Sequence, residues 1–201
     1  DIPFKKVLCG NFRGQELNMA YSTLFGHKKG AYTGADNDYD GIIKEADGGI
    51  VFLDEIADIP LETQNILLDV IEGKPFRALK SNEEITSEFQ LICATNKDID
   101  EEVSKNNLRD DFVARLDVFK YEIPPLRERT EDIEGILEKL LKSSGFENFE
   151  IEEMAKKELL NLFKKSSLKR NIRDITTALS KLYLISLGPP AHALTISEVT
   201  K

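Results

Sequence analysis

The sequence predicts an α/β protein: a mostly parallel sheet covered by helices, followed by a small bundle built of helices alone. Three observations predict this. Short runs dominated by apolar residues recur in the first 125 residues, which fits strands buried on both faces. Between them lie segments with apolar residues at helical spacing. After Ile123–Pro124–Pro125 the strand-like runs cease, and three amphipathic helical patterns follow one another.

Taken in order, Lys5–Cys9 reads as a short buried strand, Gly49–Leu53 (GIVFL) as a second, Phe89–Thr95 (FQLICAT) as a third and Val118–Ile123 (VFKYEI) as a weaker fourth. Leu61–Glu72 sets Ile66, Leu67, Val70 and Ile71 on one helix face, with Pro60 at a permitted first-turn position and Gly73 as a stop. Phe76–Leu79 and Glu84–Phe89 flank the polar Lys80–Asn82 and predict a small hairpin. Further on, Ile133, Ile136, Leu137, Leu140 and Leu141 define a helix with Thr130 as N-cap. Met154, Ala155, Leu159, Leu162 and Phe163 define a second. Ile175, Leu179, Leu182 and Ile185 define a third, ending at Gly188–Pro189–Pro190. The boundary falls near Pro124–Arg129, giving a core over 1–125 and a helical unit over 126–201.

Composition narrows the function. A net charge of -9 argues against this segment binding DNA or anionic membranes by itself, because phosphate binding needs clustered Lys and Arg. No apolar run reaches the length of a membrane span, and the opening DIPFKKVLCG has no apolar signal region. Cys9 and Cys93 lie in KKVLC and FQLICAT at a spacing that fits neither zinc nor a disulfide framework, so both read as buried free thiols in a reducing cytoplasm. His27 and His192 are too isolated to argue a metal site. A start at Asp1 without Met is expected of an excerpt from a longer protein.

The chemistry concentrates in Gly48–Pro60, GGIVFLDEIADIP. An apolar strand delivers Asp54 and Glu55 at its C-terminal end, the edge where open parallel sheets bind ligands. One carboxylate there suits Mg²⁺, which prefers hard oxygen ligands. The other suits polarising a water for attack on phosphorus. Alone, the pattern reads equally well as an acidic pair capping the next helix. About 20 residues upstream, Gly26–Ala35 (GHKKGAYTGA) reads as an exposed, glycine-hinged loop whose Tyr32 suits insertion into a partner. Its bland alternative is a surface loop without a role.

LFGHKKGAYTGA resembles the signature loop, usually GAFTGA, of the sigma-54-interacting AAA+ domain of bacterial enhancer-binding activators. The resemblance runs from about Phe4 to the end of the third lid helix. Within the family, LNMAYSTLFGHKKGA is most similar to the subfamily regulating the RNA 3'-terminal phosphate cyclase operon. The resemblance implies an AAA+ P-loop NTPase-type parallel sheet core, N-terminally truncated, with an all-α lid. It implies a cytoplasmic ring, hexameric or heptameric, that hydrolyses ATP with Mg²⁺ at subunit interfaces to remodel the closed complex of sigma-54 RNA polymerase. DNA would be bound only through a domain outside this chain.

Residue by residue, Asp54 and Glu55 match the Walker B magnesium-site and catalytic carboxylates. Thr95 and Asn96 match sensor I. Arg109 and Arg115 match the paired arginines, at least one of which reaches the neighbouring subunit's nucleotide. Arg173 in RNIRD matches sensor II, usually GNVRE, a lid arginine that reaches the nucleotide; Asp174 stands for the usual Glu and Arg170 for the usual Gly. Gly30, Ala31, Tyr32, Thr33, Gly34 and Ala35 match the loop that touches sigma-54, with Tyr32 for the usual Phe. Two departures stand out. No Gly-x-x-x-x-Gly-Lys-Ser/Thr phosphate loop is present, and the resemblance places it upstream of Asp1. Leu8 occupies the place of a family Asn thought to hold the catalytic Glu inactive, and Leu cannot hydrogen-bond a carboxylate. These departures keep a second expectation open: a non-hydrolysing module that binds sigma-54 or self-associates.

Overall fold

Continuous apolar character becomes a parallel sheet in the computed structural model, which describes residues 2–13, 17–116, 119–142 and 151–186. Strands β1 (Phe4–Leu8), β2 (Gly49–Asp54) and β3 (Phe89–Cys93) pair in parallel with β2 in the middle. The register sets Leu8 opposite Asp54 and Leu53 opposite Cys93, so all three C-terminal ends meet at one edge. β2 is the most apolar strand because it alone is flanked on both sides. Gly49 is required where it stands: a Cβ there would lie 2.1 Å from the Pro3 carbonyl oxygen.

One face of the sheet carries the core of the first unit. Val7, Val51 and Leu53 are buried with Leu24 and Phe25 of α1 (Leu17–Phe25), Leu67 and Val70 of α3 (Leu61–Ile71) and Phe112 of α5 (Asp110–Leu116). Short helices α2 (Ile42–Glu45) and α4 (Ile99–Ser104) complete this unit. The opposite face is open. Phe4, Leu8 and Ile92 are exposed on it, and β3 forms an edge without a further strand among the described residues. Cys9 is fully buried and Cys93 half-buried, both as free thiols. Burial pushes each up to about 12, with neighbouring carboxylates adding to it at Cys9, so neither is a reactive thiolate at neutral pH.

Two sequence expectations change here. Of the expected strand Val118–Ile123, the described residues 119–123 carry no strand. Residues 117 and 118 lie outside the described residues, and 119–123 join no ladder. Phe119, Tyr121 and Ile123 are 88%, 92% and 78% exposed. The alternation is strand-like, but a strand needs a neighbour to take its backbone hydrogen bonds, and none is present among the described residues. The expected hairpin shrinks to one antiparallel bridge, Phe76 to Ile85, with N···O distances of 2.9 and 2.8 Å. Leu79 bonds to the His27 segment instead.

The chain divides into two compact units, Asp1–Lys120 and Tyr121–Lys201. Among its described residues the second is helical: a 3-10 turn at Leu126–Glu128, then α6 (Asp132–Leu141), α7 (Glu153–Lys165) and α8 (Ile172–Ser186). Leu126, Ile133, Leu137, Leu159, Phe163, Ile175 and Leu179 form its core. Met154 and Ile185, expected inside, are exposed. The N-cap of α6 is Glu131 rather than Thr130, whose carbonyl only accepts from Ile133 N at 3.3 Å. The expected stop at Gly188–Pro190 lies outside the described residues. Before α8 the chain turns through Asn171 at φ 54°, and the Asn171 Oδ1 accepts from Leu126 N at 2.8 Å.

Candidate functional site

The site grows out of the end of β2. Alternation along the strand buries Leu53 and turns Asp54 to the open face. There the Lys6 ammonium of β1 lies 3.0 Å from Asp54 Oδ2 and 5.2 Å from the centre of the Phe52 ring. Glu55 then leaves the strand in the left-handed region, φ 56°, ψ 47°. For a non-glycine residue this costs about 1–2 kcal/mol. The surroundings enforce it: Ile56 N donates to Ala94 O at 2.9 Å, and Asp58 N donates to Glu55 O at 2.9 Å. The first of these bonds ties the Asp54–Glu55 turn to the end of β3. It joins Ile56, the residue after the acidic pair, to Ala94, the residue before Thr95–Asn96. The Thr95 hydroxyl accepts from Lys97 N at 3.1 Å, closing a tight turn, and Asn96 is exposed.

A charge network that sequence reading missed braces this edge. The Asp58 side chain is only 4% exposed and pairs with Arg13 at 2.6 Å and Lys97 at 2.8 Å. Lys97 also meets Glu102 at 2.9 Å. Asp58 and Lys97 each flank a recognised motif, but neither has a local pattern that announces a partner so distant in sequence. Burial opposes ionisation of Asp58, yet the bonds from Lys97 and Arg13 outweigh it and hold the carboxyl below the ordinary range. A lowered folded pKa gives stability that is complete above the unfolded value of about 3.9 and is lost as pH falls through the folded one. Asp58→Asn is therefore expected to cost about 1.5–3 kcal/mol at neutral pH and less near pH 3. Urea unfolding at the two pH values checks this. A cleft of about 290 Å³ opens beside the network, lined by Asp58, Pro60, Lys97, Asn106 and Asn107 among others, and does not include Asp54 or Glu55.

The glycine-rich loop is not the free tip the sequence suggested. His27 is held by antiparallel bonds to Tyr39, both 2.8 Å, and lies between Tyr39 and Leu79 in two bridges. Ser22 Oγ lies 2.7 Å from the buried His27 Nδ1. The loop closes on itself, with Gly30 N donating to Ala35 O at 2.7 Å and Ala35 N to Tyr32 O at 3.1 Å. Tyr32 is half-buried, its ring set edge-on to His27 at 5.2 Å between centres. Thr33, Gly30 and Gly34 are exposed, Ala31 is half-buried and Ala35 is buried. Glycine is needed at 30 and 34, where φ is 75° and 96°.

The two arginines of the first unit differ. Arg109 is folded onto Asp111 by two bonds of 2.9 and 2.6 Å. Arg115, in the last turn of α5, is exposed and has no ion-pair partner among the described residues. Gln64, fully buried on α3, sets the start of this segment: it donates to Ile59 O and Asn107 O, both 2.9 Å, and accepts from Arg109 N at 3.0 Å. In the second unit Arg173 is exposed near the start of α8. Asp174 accepts from Arg170 N at 2.8 Å and Arg170 Nε at 2.7 Å, which holds its carboxyl below the usual range.

The donor set fits Mg²⁺ at Asp54, a half-exposed strand-end carboxylate whose present counter-ion is the exposed Lys6. Mg²⁺ keeps several waters and takes one or two protein carboxylates with substrate phosphates, so no larger cluster is needed. No group of three His, Cys, Asp or Glu suited to a metal is found among the described residues. No helix among them is long and apolar enough to cross a membrane.

Comparison with known proteins gives the family and the fold. Residues 1–122 match the family described as the Sigma-54 interaction domain. The response regulator protein PilR of Pseudomonas aeruginosa is 36% identical over 187 residues, 91% of this chain and 40% of its own. The transcriptional regulatory protein RtcR of Escherichia coli is 42% identical over 67% of this chain and 25% of its own. The transcriptional activator HyfR of the same organism is 44% identical over 66% of this chain and 19% of its own, so identity does not single out one subfamily. The chain thus spans well under half of the curated relatives it matches. A crystal structure of NtrX from Brucella abortus superposes with a TM-score of 0.79 at 24% identity, over 96% of this chain and 42% of that one. A structure of NtrX in complex with ATP superposes at 0.76 with 24% identity, over 97% and 44%.

Proposed function

The chain belongs to the Sigma-54 interaction domain family, and on that premise we propose that it is the working part of an ATP-driven activator of sigma-54 RNA polymerase in the bacterial cytoplasm. The observation that carries this is the edge where Asp54 and Glu55 leave the middle strand, joined to the segment that leads into Thr95–Asn96 by the bond from Ile56 N to Ala94 O. Bound Mg²⁺–ATP would supply the activated phosphoryl group. Asp54 would hold the Mg²⁺, and Glu55 would orient and deprotonate the attacking water. Asn96, exposed at the next strand end, would fix that water's second hydrogen-bond direction, and Thr95 would hold the turn that presents it. Arg115 would act from the neighbouring subunit of a hexameric or heptameric ring, with Arg109 fixing the segment that presents it. Arg173 is a candidate nucleotide sensor in the helical unit.

The open sheet face and the free edge of β3 are where a further strand and helix carrying a phosphate loop would complete the sheet, since parallel strands are stable only when both faces are covered. Gly30–Ala35 would meet sigma-54, with Tyr32 leaving its place on His27 to do so. The test is steady-state ATP turnover by the natural polypeptide that carries this chain. Glu55→Gln, which keeps the shape and removes the base, is expected to lower kcat by about 10²–10⁴ with little change in nucleotide binding. Undiminished turnover in that variant would remove Glu55 from the chemistry.

A further inference from the structure

We infer that Gln64 is a positioning residue for Arg115: its buried carboxamide clamps the entry to α5 onto the turn that follows Asp54 and Glu55. The inference rests on the reading that Arg115 acts on a neighbouring subunit's nucleotide. Three backbone groups converge on this one side chain. Gln64 Nε2 donates to Ile59 O and to Asn107 O, both at 2.9 Å, and Gln64 Oε1 accepts from Arg109 N at 3.0 Å. None of the three has another backbone partner among the described residues. Gln64 is fully buried, so bulk water cannot take its place. Left unpaired, each of these groups costs about 1–3 kcal/mol. Only a carboxamide supplies two donors and an acceptor at one planar end: an ionised glutamate lacks the donors, and an aliphatic side chain lacks both.

The two segments so joined differ in what else holds them. The turn after Glu55 is fixed several times over: Ile56 N donates to Ala94 O, Asp58 N donates to Glu55 O, and the Asp58 carboxylate pairs with Arg13 and Lys97. The entry to α5 is held less. Asn107 N and Leu108 N donate to Glu102 O at 2.9 and 3.2 Å, but Arg109 N, just before the helix, is bonded to Gln64 alone among the described residues. Leu108 and Phe112 bury the inner side of this stretch in the core. Apolar burial is non-directional and does not by itself fix the rotation of a short helix; a hydrogen bond at its entry does. Arg115 stands exposed in the last turn of the same helix. A small rotation at Arg109 is carried to its guanidinium, and a misplacement of about 1 Å at a reacting centre costs about 10²-fold in rate. Gln64 therefore governs the arginine that a subunit lends to its neighbour more than the carboxylates it keeps.

Mixed rings of the natural polypeptide test this with Gln64→Met, which keeps the length of the side chain and removes its hydrogen bonds. Steady-state ATP turnover is expected to show kcat lowered roughly 10- to 100-fold at unchanged KM. Mixing with Glu55→Gln subunits, which bring an intact arginine segment, is expected to restore part of the turnover. Mixing with Arg115→Ala subunits is expected to restore none. Should Gln64→Met not assemble, Arg109→Pro beside Arg109→Ala decides: proline is tolerated at a helix start and, relative to alanine, deletes the N–H that Gln64 accepts. Arg109→Pro is expected to lose turnover beyond Arg109→Ala and to follow the same pattern on mixing. Wild-type kcat in Gln64→Met, or equal kcat in Arg109→Pro and Arg109→Ala, overturns the proposal. So does recovery with Arg115→Ala subunits, which places the defect at the variant's own carboxylate edge, and so does recovery with neither, which marks a general loss of structure. The mixture of Arg115→Ala with Glu55→Gln is read separately: no recovery there overturns the assignment of Arg115 itself, whatever Gln64→Met does.

Discussion

Tyr32→Ala is expected to abolish activation of sigma-54 polymerase while leaving ATP turnover near the wild-type level. Tyr32 belongs to a loop pinned to Tyr39 and Leu79 through His27, whereas the carboxylates belong to the junction of β2 and β3. A half-buried ring that leaves a weak edge-on contact with His27 for a partner's pocket is an interface anchor, and losing such an anchor costs about 2 kcal/mol or more, roughly 30-fold in affinity. Tyr32→Phe keeps the ring and is expected to retain most of the activity. Binding to sigma-54 and transcription from a sigma-54 promoter, measured beside turnover, separate the two roles. Equal loss of turnover would show instead that the loop supports the fold of the site.

Arg115→Ala is expected to lower turnover by about 10³, the scale of an arginine that neutralises charge on a phosphoryl group in transfer. Arg109→Ala should cost less. Its guanidinium is already committed to Asp111, and its backbone N–H, which the buried Gln64 accepts, survives the substitution. On the proposal that Arg115 serves a neighbouring subunit, subunits carrying Arg115→Ala should complement subunits carrying Glu55→Gln. A mixed ring contains interfaces with both residues intact, and partial recovery of turnover is expected on mixing. No recovery at any ratio would place Arg115 in its own subunit's site.

Much of this was readable before the fold. The three strands of the sheet announced themselves as apolar runs, because β2 and its neighbours have little polar surface to show on the core side. The acidic pair stood out because two adjacent carboxylates, Asp54 and Glu55, end the apolar run GIVFL. What could not be read was anything that depends on contacts between distant segments. Val118–Ile123 has strand composition, yet pairing is a property of two segments, and Phe119, Tyr121 and Ile123 stand exposed. Met154 fits the helical repeat but falls in the first turn of α7, outside the packed face. The loop read as a free tip because its glycines and small residues are local features, while the His27 ring and the two bridges that stow Tyr32 come from residues far along the chain.

The central claim is that one edge hydrolyses ATP and one loop passes the result to sigma-54. Steady-state ATP turnover of the natural polypeptide, titrated with sigma-54 polymerase, tests it most directly. The account predicts measurable basal turnover that rises with sigma-54 in the wild type, is absent in Glu55→Gln, and no longer responds to sigma-54 in Tyr32→Ala. A folded polypeptide that binds sigma-54 through the loop but neither binds nor turns over ATP would contradict it, and would identify the domain as an interaction module without hydrolytic work.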